Sequence, residues 1–159
     1  MLWHSIAMHG PATAPIQPRL IDSLYSEAML LADEARCYFD QGGKDERDRL
    51  TPVARVAFSC ESLKVTTRLM HVIAWLLTQR AVQAGELRER DARDPSRRLG
   101  TAPETDAATL VAMPPEATGL IAASIDLYRR VARLDAAAEL PPHMASPARS
   151  MIEKLALSF

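Results

Sequence analysis

The 159-residue chain is short of aromatics, glycine, cysteine and net charge, and each shortage removes an option. With aromatics at 5%, a core has to be built from Leu, Val, Ile, Met and Ala, which favours packed helices over a sandwich or barrel. A net charge of −1, from 19 basic and 20 acidic residues, leaves no long-range field toward DNA, RNA or an anionic membrane. Neither nucleic acid nor membrane is therefore expected as a partner. The six glycines fall at turns, apart from Gly119 inside a helical pattern, so there is no glycine-rich phosphate loop. Cys37 and Cys60, both in helical patterns, read as buried thiols rather than a disulfide. The longest strongly apolar run, Leu69–Leu77, contains His71 and is too short to span a bilayer. The start, MLWHSIAMHGPATAP, has neither the basic head nor the apolar run of a signal peptide, and a cytoplasmic location is expected.

Chemical signatures are missing as well. His4, His9, His71 and His143 sit in no H-E-x-x-H, E-x-x-H or Cys/His pattern with metal spacing. No G-x-S-x-G or S-x-x-K marks a nucleophile, and no acidic pair is forced into a dry pocket. The expectation is a protein that is not an enzyme, with no catalytic residue, metal or cofactor.

What is present is helix. The stretch Thr51–Ala84 organises the rest, with Thr51 as cap, Pro52 at the first helical position and Gly85 as stop. It predicts one helix of roughly 50 Å. One apolar stripe runs Val53, Val56, Cys60, Leu63, Thr67, Met70, Ala74, Leu77, Ala81, Ala84, and a second runs Phe58, Ser62, Val65, Leu69, Val72, Leu76. Two stripes imply cover from two directions. The third face, Glu61, Lys64, Arg68, His71, Trp75 and Thr78, is polar except for Trp75. Two readings compete there: a solvated face with weak i,i+3 and i,i+4 pairs, or a docking surface anchored on Trp75 and Arg68. Glu61, Lys64, Arg68, His71 and Trp75 are the candidate partner-binding residues.

Flanking this helix, residues 1–17 read as a flexible arm broken by Pro11 and Pro15. Arg19–Asp40 repeats Ile21, Leu24, Ala28, Leu31, Ala35 and Tyr38 at helical spacing. Pro115–Ala138 does the same with Leu120, Ser124, Leu127, Val131 and Leu134. Between the second and third helices, residues 86–113 carry Pro95, Gly100 and Pro103 and read as a flexible linker. Residues 18–140 are thus expected to form an all-α, antiparallel three-helix bundle, followed by a tail, 141–159, with a short amphipathic helix from Ser146 to Phe159. The expected core is Leu24, Leu31, Val56, Leu63, Met70, Leu77, Leu127 and Leu134. The doubled stripe also predicts a homodimer through the central helix, because the two outer helices are too short to cover both stripes; the competing reading is that Met151–Phe159 folds back over the second stripe and leaves a monomer.

CESLKVTTRLMHVIAWLLTQRA, in the central helix, resembles the alphaproteobacterial RcdA family, the regulator of CtrA degradation. LYSEAMLLADEARCYF fits as well, and SPARSMIEKLALSF does so more loosely. The resemblance implies a dimeric three-helix bundle that acts as an adaptor in regulated proteolysis during the cell cycle. Its implied partners are the ClpXP protease, a CpdR-like receiver-domain protein that primes it, and cargo such as CtrA. It implies no catalytic residues. The alternative is a helical dimeric signalling regulator or ligand-binding protein unrelated to proteolysis.

Overall fold

The computed structural model describes residues 16–139, 151–152 and 155–158. Most of the expected N-terminal arm and of the segment joining the tail lies outside them. Among the described residues there is no strand, and the protein is an all-α bundle. The three long helices are α1 (Pro18–Cys37), α3 (Pro52–Gln83) and α6 (Pro115–Glu139). A short helix, α2 (Lys44–Asp48), joins the first two, and α4 (Glu89–Ala92) and α5 (Ala107–Val111) punctuate the long connection before α6.

The ends of α3 follow from local chemistry. Thr51 Oγ1 accepts a hydrogen bond from the Ala54 amide at 3.2 Å, and Pro52 opens the first turn. At the other end Gly85 takes φ +75°, while the Glu86 amide reaches the Ala81 carbonyl and the Gly85 amide that of Val82. This is a Schellman stop, and the left-handed residue it needs is the glycine. At the end of α1 the chain widens into a π-turn, Tyr38–Gly42, closed by the Gly43 amide on the Tyr38 carbonyl at 2.7 Å. The turn points Tyr38 and Phe39 inward onto Phe58, with ring centroids 5.1–6.0 Å apart. Tyr38 Oη donates to Glu46 at 2.6 Å, which ties α2 beneath this cluster.

Helix α1 runs antiparallel to α3, with Asp22 beside Arg80 at one end and Phe39 beside Phe58 at the other. Helix α6 runs with α3 rather than against it: Arg68 meets Ser124, and Trp75 meets Asp135. The reason is the long connection. It returns along the whole of α3 before α6 begins, so the expected flexible linker is a packed strap. Arg98 lies at Asp135, Gly100 at Tyr128, and Thr105 at Glu61.

The core takes Ile21, Leu24 and Ala28 from α1, Phe58, Val65, Leu69, Val72 and Leu76 from α3, and Leu120, Ile121, Leu127 and Val131 from α6. Leu24 and Leu127 are buried as expected, and Leu31 and Leu134 pack against the cluster half-buried. Val56, Leu63, Met70 and Leu77 are exposed, which corrects their placement in the core. Both stripes of α3 are apolar, and periodicity alone does not choose between them. The strap chooses, because it gives the polar face partners and lets that face turn inward. Cys37 and Cys60, expected to be buried, are both exposed free thiols, Cys60 because it lies on the outward stripe of α3 and Cys37 because it lies on the outer side of the last turn of α1.

Candidate functional site

The polar face of α3 is where a partner was expected, and the chain occupies it itself. Glu61, Arg68 and Trp75 are only 1%, 2% and 2% exposed. His71 and Lys64 are half-buried. Thr105 Oγ1 donates to Glu61 Oε2 at 2.6 Å and accepts from Arg68 Nη2 at 2.6 Å. Arg68 also donates to the Pro103 carbonyl at 3.0 Å and to Ser124 Oγ at 3.3 Å, and Lys64 closes on Glu61 at 3.0 Å. Burial lowers the Arg68 pKa, nearby Glu61 opposes that shift, and Arg129 adds to it. The guanidinium remains a cation at neutral pH. One layer further along, Trp75 Nε1 donates to Asp135 at 2.9 Å and Arg98 grips the same carboxylate at 2.8 and 3.0 Å. Between the two layers Tyr128 Oη donates to the Gly100 carbonyl at 2.7 Å. A Cβ on Gly100 would come within 2.2 Å of His71 Nδ1, so the strap fits His71 only because that residue is glycine.

The correction to the candidate residues is therefore one of location. The structure gathers Glu61, Lys64, Arg68, His71 and Trp75 on one face, as their spacing required, but that face is a seam between α3, α6 and the strap. Among the described residues no buried side-chain polar atom lacks a partner. A face with this many satisfied polar groups holds a fold together and offers little to a second molecule.

The exposed face of α3 is the better candidate. Val53 (81%), Val56 (65%), Leu63 (67%), Met70 (65%) and Leu77 (48%) are all open. They follow one stripe for about 36 Å, at 1.5 Å per residue. Single exposed aliphatics are ordinary, but a row of them along one helix marks an interaction surface. Met29 and Leu30 of α1 are exposed too. Two hollows flank the stripe. A cleft of about 430 Å³ between α2 and α3 is lined by Arg47, Arg55, Ser59 and Cys60 and shares Val56 and Leu63 with it. A groove of about 380 Å³ between α1 and α3 shares Met70. Among the described residues no three His, Cys, Asp or Glu side chains converge as metal ligands, and no helix is long and apolar enough to cross a membrane.

Residues 12–159 match the family described as a protein of unknown function, DUF1465. The chain belongs to that family. Among solved structures it is similar to RcdA from Caulobacter crescentus CB15, with 32% identity and a TM-score of 0.63. That likeness covers 77% of this chain and 93% of RcdA. No curated protein matches it in sequence. The RcdA-like bundle anticipated from the central helix is the fold found.

Proposed function

We propose that this DUF1465 protein is a non-catalytic adaptor that helps deliver cell-cycle regulatory proteins to the ClpXP protease. The observation carrying this reading is the exposed aliphatic stripe of α3, on a bundle that shares 32% identity with RcdA. An adaptor needs open surface for protein partners and no reactive centre. The buried polar groups of α3 are spent on holding the strap and α6, whereas the outward apolar stripe of α3 stands open.

In this reading the stripe is the self-association face, and a homodimer joins two α3 helices about a two-fold axis. The RcdA likeness supports a CpdR-like receiver-domain protein as the factor that primes the protease, CtrA-like regulators as cargo, and a cytoplasmic site of action. The test is reconstitution from the organism's own components. ClpXP, the unphosphorylated receiver-domain protein and a fluorescent CtrA-type cargo are combined with and without this protein. The expected outcome is cargo degradation that requires it and that is lost with Leu63→Glu. Unchanged degradation, together with no binding of the chain to ClpXP or the primer, would turn the assignment toward a helical signalling regulator outside proteolysis.

A further inference from the structure

The groove between α1 and α3 has the form of a receptor for a short amphipathic helix. Its floor is Ala35, Phe39 and Leu69, and its walls include Ala32, Met70 and Ile73. Two alanines on α1 keep the wall low, and Met70 offers the adaptable thioether common at such surfaces. Met29, one turn before Ala32 on the same helix, is also exposed. Arg36 and Asp40 put one charge of each sign on the rim.

The chain carries a segment of matching character. Residues 151–152 and 155–157 are helical, and Met151, Ile152, Leu155 and Leu157 are 65%, 65%, 58% and 88% exposed. Met151, Ile152 and Leu155 fall on one helical face, while Glu153 and Lys154 bring one charge of each sign. We infer that the C-terminal segment Met151–Phe159 docks as an amphipathic helix into the α1–α3 groove of its own chain.

Reach and tethering support docking within one chain. Helix α6 ends level with the last turns of α3, since Asp135 stands at Trp75. Ile73, at the near end of the groove, is therefore only about 10 Å further down the axis. Residues 140–150 span at most about 40 Å when extended, enough to pass around α3. A tether this short sets an effective concentration on the order of millimolar, which a second copy in solution does not match. Met70 belongs to both the groove and the exposed stripe, so a docked tail covers one edge of the face assigned to self-association. The inference does not rest on the adaptor reading.

The test is hydrogen exchange on the full-length protein, read on peptides covering residues 147–159. A segment of this length does not hold a helix alone in water, so protection there reports docking. The tail amides are expected to exchange at least about tenfold more slowly than an unstructured chain. That protection is expected to be the same after dilution, and to be lost in Leu155→Glu and in Ala32→Glu while α3 keeps its own. Tail amides exchanging at unstructured rates would overturn the inference. Protection that falls on dilution would also overturn it, since the occupant is then a tail from a second copy. Protection that survives Ala32→Glu, in a protein melting like wild type, would reject the groove as the site. If Ala32→Glu unfolds the bundle, Met70→Glu, at an exposed position, takes its place.

Discussion

Thr105 holds two buried charges of opposite sign through a single hydroxyl, donating to Glu61 and accepting from Arg68. Thr105→Val keeps the shape and removes both bonds, leaving each charge short of a partner. We expect a loss of about 1–3 kcal/mol in denaturant melts, with Thr105→Ser recovering most of it. Tyr38 gives a pH-dependent counterpart. Burial, reinforced by the hydrogen bond to Glu46 and its charge, raises the Tyr38 pKa above the usual 10.0. The unfolded chain then releases this proton first as pH rises. The stability linked to Tyr38 is fully present below pH 10 and declines as pH climbs toward the raised folded value. Tyr38→Phe removes that proton, so its alkaline loss of stability above pH 10 should be shallower than wild type. Thermal melts of both proteins between pH 8 and 11 measure this, and parallel curves would mean that folding does not raise the Tyr38 pKa.

The central helix shows what a pattern can and cannot specify. Its cap, proline start and glycine stop are read directly from Thr51, Pro52 and Gly85, because each depends on one residue's backbone chemistry. Its rotation was not legible. Val56, Leu63 and Leu77 look as core-like as Val65, Leu69 and Leu76, and Glu61 and Arg68 argue for solvent until Thr105 and Ser124 are seen beside them. Those partners come from residues far along the chain, which no local spacing reveals. The gathering of Glu61, Lys64, Arg68, His71 and Trp75 was legible; the strap that buries the face was not, because Pro95, Gly100 and Pro103 resemble a loose loop until their contacts are known. The rotation has a direct consequence. Leu63→Ala, on the exposed side, should change monomer stability by no more than about 0.5 kcal/mol. Leu69→Ala, on the buried side, should cost about 2–5 kcal/mol. The strap makes its own demand. Gly100→Ala must displace His71 or lift the strap, and we expect a destabilisation of about 1–3 kcal/mol, with increased hydrogen exchange confined to residues 98–106 and α6.

At the scale of the molecule, the bundle buries its polar seam and leaves an aliphatic stripe open, the reverse of what a solitary helical protein needs. Three helices around one core satisfy one stripe of α3, and the strap satisfies the polar face. The remaining stripe has no element left in the described chain to cover it. A second copy satisfies it with the fewest parts, because an exposed stripe on a straight helix is complementary to itself under a two-fold rotation. Burying such side chains contributes about 25 cal/mol for each Å² removed from water, less the cost of association, so contact along the whole stripe supports a dimer at micromolar concentration. Sedimentation equilibrium should then return twice the 17.5 kDa chain mass. Leu63→Glu combined with Val56→Glu places four carboxylates in the two-fold interface and touches no buried contact of the monomer. We expect that variant to sediment as a 17.5 kDa species with its helical content intact. A wild-type protein that is monomeric under the same conditions would show that the stripe is not a self-association face. A double variant that remains dimeric would instead move the interface elsewhere on the bundle.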